Sequence, residues 1–172
     1  MSSQAIDLVA RAEHCLTACR RKGLTLAFAE SLTGGLVAAT FTAVPGASDV
    51  VVGGVVAYAT RLKAQLLAVD VDLLDRVGAV DAEVAIQMAR GAAVRLGADI
   101  GVSCTGVAGP DPQDGQPPGT VHVGVHRHGE PDLVRSYVFA GDRAEVREAT
   151  VGAVIDVIQV RLNGSGAAAH ES

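Results

Sequence analysis

The side chains in this chain best suited to covalent chemistry are a serine and a lysine in separate segments, Ser31 and Lys63. Ser31 stands in the stretch "LAFAESLTGGLVAATF", where an apolar run stops at Glu30-Ser31 and Thr33-Gly34-Gly35 follows as a helix begins. A glycine-rich turn at a helix N-terminus exposes backbone N–H groups that can hold a phosphate or an oxyanion. Ser31 itself reads in two ways. It, or Thr33, can cap the helix, or its hydroxyl can act at the mouth of the strand. The stretch matches neither Gly-x-Ser-x-Gly nor the Walker phosphate loop.

A serine hydroxyl is a weak nucleophile and needs a base. The histidines are poorly placed for that task. His14 falls on the first helix and His170 in the tail, while His122, His126 and His128 share parity on one strand. That parity suits a solvated edge-strand face better than a metal site. Lys63 is the better base, because it follows Tyr58 by five residues in a chain whose other lysine is Lys22. A desolvated lysine can lose its proton near neutral pH; the competing reading is a surface lysine on a short helix.

Two further segments carry ligand chemistry. Ser103-Cys104-Thr105-Gly106-Val107-Ala108-Gly109-Pro110-Asp111 leaves a strand into glycines, where Thr105 and nearby amides could bind a carboxylate, phosphate or ribose. Arg143 and Arg147 open the last helix. A cation there opposes the helix dipole, so Arg143 points to an anion held nearby, while Arg147 reads also as a surface i,i+4 partner. Cys15 and Cys19 share a helix face with Leu8, Ala12 and Leu16 and read as small buried thiols.

These side chains need a scaffold. The chain has 172 residues, 49% hydrophobic and 19% charged, which suits one globular domain. With no Trp, three Phe and two Tyr, the core must be built from Val, Leu, Ile and Ala. That favours a buried sheet covered by Ala-rich helices. Apolar periodicity predicts helices over 4–21, 32–43, 60–67, 71–77, 143–162 and one capped by Asp81. Strands are predicted over 24–29, 50–58, 99–104, 120–126 and 133–139, with 50–58 central to the sheet. The order implies a three-layer α/β/α sandwich with a mixed β-sheet, spanning residues 1–162 as one domain and followed by a flexible tail over 163–172. Ligands in such sheets sit beyond the strand ends, at the loops 30–35, 58–63 and 104–110. The net charge of -5 argues against a nucleic-acid partner. No apolar run is long enough to span a bilayer and the first twenty residues are no secretory signal, so a cytoplasmic location is expected.

Taken together the motifs resemble the CinA C-terminal domain family, the nicotinamide-nucleotide amidohydrolases. The resemblance is carried by Ala29-Glu30-Ser31-x-Thr33-Gly34-Gly35, Val44-Pro45-Gly46-Ala47-Ser48, Tyr58 with Lys63, and Gly78-Ala79-Val80. It continues through Thr105 to Asp111, Pro118-Gly119-Thr120-Val121 and Gly141-Asp142-Arg143, covering roughly residues 5 to 162. It implies hydrolysis of the carboxamide of nicotinamide mononucleotide to nicotinate mononucleotide and ammonia by a Ser/Lys dyad, with no metal or cofactor. By that resemblance Ser31 is the nucleophile, Lys63 its base, and Tyr58 supports the pair by hydrogen bonding. Glu30, Thr33, Gly34, Gly35, Ser48, Thr105, Gly106 and Arg143 line the nucleotide site, with Arg143 facing the phosphate; the geometry of a strand-to-helix turn adds the 33–35 amides as candidates for holding the oxyanion. Family members self-associate, so a homo-oligomer is expected.

Two segments depart from the family pattern. Residues 111–118 read Asp-Pro-Gln-Asp-Gly-Gln-Pro-Pro where a Gly-Gly pair and a Lys are common, a segment placed to shape substrate access. Ala59-Thr60 replaces the usual Ser-Asn. The resemblance does not extend to the N-terminal molybdopterin-binding-like domain of longer members, so its activities are not implied. The alternative to an enzyme is a pyridine-nucleotide-binding module of weak turnover acting through a partner.

Overall fold

The computed structural model describes residues 3–164; the predicted tail lies outside them save Asn163 and Gly164, which continue the last helix. Chain order is α1 (Ser3–Lys22), β1 (Leu26–Glu30), α2 (Leu36–Thr42), a 3-10 turn (Ala47–Asp49), β2 (Val51–Val56), α3 (Thr60–Leu67), α4 (Val71–Val77), α5 (Ala82–Leu96), β3 (Ile100–Gly106), β4 (Thr120–Arg127), β5 (Leu133–Val138) and α6 (Arg143–Gly164). The sheet runs β2-β1-β3-β4-β5. Strands β1, β2 and β3 are mutually parallel, and β4 and β5 add antiparallel.

Alternation along β1 splits the core in two. Leu26 and Phe28 face α1, α2 and α6, where Leu16, Phe41, Val154 and Ile158 complete one apolar layer. Ala27 and Ala29 face the other side, packed with Leu67 of α3, Leu74 of α4, and Val84 and Met88 of α5. The result is the α/β/α sandwich with a mixed sheet that the periodicity implies. Cys15, Cys19 and Cys104 are all buried and unpaired, and Asp81 caps α5 by accepting from the Glu83 N–H at 2.8 Å. No helix among the described residues is long and apolar enough to cross a membrane.

Three expectations change. β2 is an edge strand rather than a central one; its β-branched run covers one face of the sheet and leaves Val52 and Val56 exposed, so a β-branched run alone does not mark the centre. β4 is interior, not an edge, and its histidines are engaged. His122 Nδ1 meets Ser136 Oγ at 2.8 Å and His126 Nδ1 meets Asp132 Oδ1 at 2.6 Å. Finally, α2 begins at Leu36 instead of residue 32, and that delay shapes the site.

Candidate active site

β1 ends at Glu30, and the chain then makes a turn before entering α2. The Ser31 N–H donates to the Cys104 carbonyl at 3.1 Å, which carries the β1–β3 ladder one step past the strand. Gly34 and Gly35 take φ of 60° and 98°, a left-handed conformation that glycine adopts without penalty. The carboxylate of Glu30, 2% exposed, folds back under this turn. Its Oε2 accepts from Thr33 Oγ1 at 2.7 Å, the Gly35 N–H at 2.9 Å and the Val37 N–H at 3.1 Å, and its Oε1 from the Ala38 N–H at 2.8 Å. The N-terminus of α2 is therefore capped by Glu30 and not by Ser31. The serine hydroxyl is left for other work.

This geometry corrects part of the predicted substrate site. Glu30 is wholly occupied within the protein. Thr33 is buried, its hydroxyl shared between Glu30 and Cys104 Sγ, the latter 3.1 Å away. Gly34 donates its N–H to the Ser31 carbonyl at 3.0 Å, so neither glycine amide is aimed at an oxyanion. Among the described residues, the amides of Leu32 and Thr33 are the ones in this turn that no protein acceptor takes.

Lys63, on the first turns of α3, is fully buried. Its Nζ donates to Ser31 Oγ at 2.8 Å and to the Ala57 carbonyl at 3.1 Å. Desolvation lowers its pKa to about 8, against the opposing pull of Cys104 and Asp114, because burial penalises the ammonium form. Cys104 beside it goes the other way: burial pushes its thiol up to about 12, so it stays protonated and does not compete as nucleophile. When Lys63 loses its proton the Ser31 bond reverses, the hydroxyl donating to the amine lone pair. Any reaction that needs the free amine should therefore show kcat/KM rising tenfold per pH unit below about 8 and levelling off above it, as a pH–rate profile in non-amine buffers would report.

Above the pair lies a polar cleft of about 110 Å3, lined by Ser31, Tyr58, Ala79, Thr105, Gly106 and Arg143 among others. It sits at the C-terminal ends of β1 and β3, where open α/β sheets hold ligands. Thr105 is buried and its Oγ1 donates to the Ala79 carbonyl at 2.7 Å. Arg143 reaches over the cleft, donating to the Gly109 carbonyl at 3.0 Å and the Tyr58 hydroxyl at 2.5 Å.

Two predicted residues differ from expectation, Tyr58 in its partner and Ser48 in its place. Tyr58 is 59% exposed on the rim and pairs with Arg143, not with the dyad; it lies past the end of β2, while Lys63 turns inward from α3. Ser48 precedes β2, whose parallel run puts that end of the strand about 20 Å from the cleft at ~3.3 Å per residue. It borders a separate hollow with Thr42 and Val51.

Other contributors escaped sequence reasoning. The Ala57 carbonyl, a backbone group, leaves no trace in residue type. Arg147 is no i,i+4 surface partner: its Nη2 donates to the Thr33 carbonyl at 2.6 Å, holding the turn after β1 from α6. Ala79, Val80, Asp111 and Gln113 line the cleft, and the signal for the first pair was the Gly78-Ala79-Val80 motif between α4 and α5.

A profile of the CinA C-terminal domain matches residues 9–162. A "CinA-like protein" of Frankia casuarinae is 46% identical over 146 residues, 84% of this chain and 33% of that protein. A "putative competence-damage inducible protein" of Bacillus subtilis is 45% identical over 131 residues, 76% of this chain and 31% of that one. The chain thus spans about a third of the length of these relatives. Among solved structures, the competence/damage inducible protein CihA from Agrobacterium tumefaciens superposes with a TM-score of 0.86 at 34% identity, covering 91% of this chain and 96% of that one. A competence or damage-inducible protein from Enterobacter asburiae gives 0.86 at 28% identity, covering 90% and 98%.

Proposed function

The chain belongs to the CinA C-terminal domain family, and from that membership and the geometry of its cleft we propose that it hydrolyses the carboxamide of nicotinamide mononucleotide to nicotinate mononucleotide and ammonia. The observation that carries this reading is the 2.8 Å contact between Lys63 Nζ and Ser31 Oγ at the base of a polar cleft. A buried lysine with a lowered pKa beside an uncapped serine is the arrangement an activated hydroxyl requires.

The steps follow from the proton inventory. Neutral Lys63 takes the Ser31 proton as Oγ attacks the carboxamide carbon. The oxyanion that forms is met by the unclaimed N–H of Leu32, which lines the cleft beside Ser31. The Lys63 ammonium then protonates the leaving nitrogen, ammonia departs, and a nicotinoyl ester remains on Ser31. Water attacks that ester, giving its proton to Lys63, which returns one to Ser31 Oγ. Throughout, the Ala57 carbonyl fixes the amine through a second hydrogen bond. Arg143, paired with a tyrosine hydroxyl and a carbonyl instead of a carboxylate, keeps its charge available for the phosphate.

The purified protein is expected to release one ammonia per nicotinamide mononucleotide consumed. Arg143→Ala should raise KM about tenfold, the loss expected for a charge-assisted phosphate contact, with a much smaller effect on free nicotinamide. Binding of the nucleotide without ammonia release would instead identify a binding module, and no binding at all would remove the reading.

A further inference from the structure

Residues 111–116 have a defined architecture. Gln113 and Gln116 exchange both backbone hydrogen bonds, at 3.1 and 2.8 Å, and Asp114 and Gly115 between them take φ of 52° and 74°. Two consecutive positive φ values on an Asp-Gly pair are the mark of a tight two-residue hairpin turn. The turn aims the Asp114 side chain at the link between α4 and α5, where its Oδ2 accepts from the Ala79 N–H at 2.7 Å.

The same residue is held from the other side by Thr105, whose hydroxyl donates to the Ala79 carbonyl. Ala79 is thereby clamped between a β3 side chain and the hairpin. The fit is close: Gly78 has φ of 78°, and a Cβ there would lie 2.5 Å from Asp114 Cγ. Both partners of the clamp are cleft walls, Ala79 and Val80 from the link, Asp111 and Gln113 from the hairpin segment.

We propose that Asp114 is a positioning residue, a latch whose carboxylate ties the 111–116 hairpin to the Ala79 amide and so fixes the wall against which the nucleotide binds. The identity of that ligand rests on the function proposed above. Asp114 hydrogen-bonds to neither Ser31 nor Lys63, which β1 and α3 bring together without it; its carboxylate acts on the pair only through space, by a charge that raises the Lys63 pKa. Without the latch, binding must order the hairpin, a cost that falls on affinity and not on the chemical step.

Measured well above pH 8, where the Lys63 amine is free with or without the Asp114 charge, Asp114→Ala is expected to raise KM about tenfold with kcat within twofold of wild type. The Kd for nicotinamide mononucleotide, measured by calorimetry in the Ser31→Ala background, should rise by the same factor. Asp114→Asn, whose side-chain oxygen can accept from the same N–H, should restore both to within threefold. An Asp114→Ala protein whose Kd stays within twofold of wild type overturns the latch, as does a loss confined to kcat or an Asn variant no better than Ala. A wild type that binds the nucleotide but releases no ammonia removes the amidase reading alone, and the Kd comparison still decides the latch. A wild type that binds none overturns both.

Discussion

Replacing Lys63 with methionine should lower kcat for carboxamide hydrolysis by about 10³-fold or more, with nucleotide affinity little changed, because a serine without its base is a poor nucleophile. That factor corresponds to about 4 kcal/mol of lost transition-state stabilisation. Methionine is the informative choice, since it fills the fully buried stem position and removes only the amine. Ser31→Ala should be at least as slow, and the double variant no slower than Ser31→Ala alone, since two groups acting as one unit are not additive. Steady-state ammonia release with calorimetric binding checks all three. A Lys63→Met enzyme retaining more than about a tenth of kcat would place the base elsewhere.

Stability supplies a second, opposite readout. Lys63 binds its proton less tightly in the folded protein, at about 8, than at its ordinary value of 10.5. The native state therefore carries a penalty that is full below about pH 8 and fades as pH rises from there to 10.5. Lys63→Met removes that penalty, so at pH 7 its Tm should be no lower than wild type's. A variant that loses activity while keeping or gaining stability separates a catalytic lysine from a structural one.

The Ser31–Lys63 contact and the layered fold were legible in the sequence for different reasons. Periodicity found the layers because each helix buries one stripe and β1 buries both faces. The dyad emerged because few bases exist to choose from, and Lys63 is one of two lysines. Position within the sheet was not legible, since Val51–Val56 is β-branched yet lies at an edge. Nor was the division of labour in the turn after β1. Ser31, Thr33 and Glu30 all carry side-chain oxygens able to accept from a helix N-terminus, and only the left-handed glycines decide which one reaches it. Ser48 misled for a related reason: a motif marks neighbours in sequence, whereas β2 carries Ser48 and Tyr58 to opposite ends of the strand, and only the Tyr58 end reaches the cleft.

Glu30 offers the sharpest test of that division of labour, because a substrate ligand and a helix cap respond oppositely to the same change. Its carboxylate takes three donors on Oε2 and one on Oε1. Glu30→Ala strands the Gly35, Val37 and Ala38 amides in a buried to half-buried turn and leaves the Thr33 hydroxyl only its contact with Cys104 Sγ, each unpaired group costing about 1–3 kcal/mol before relaxation. A loss of about 4 kcal/mol is expected, lowering Tm by on the order of 10 °C for a domain of this size. Glu30→Gln keeps the shape and can retain the three Oε2 contacts, but turns its NH2 towards the Ala38 N–H, donor against donor, so roughly half that loss should follow. Activity should fall in both through kcat, since the turn that sets Ser31 against Lys63 is no longer braced, and KM should hold. Thermal unfolding alongside steady-state kinetics reads both quantities. If Glu30→Gln instead leaves Tm unchanged and raises KM, the carboxylate meets the nucleotide and the cap is incidental.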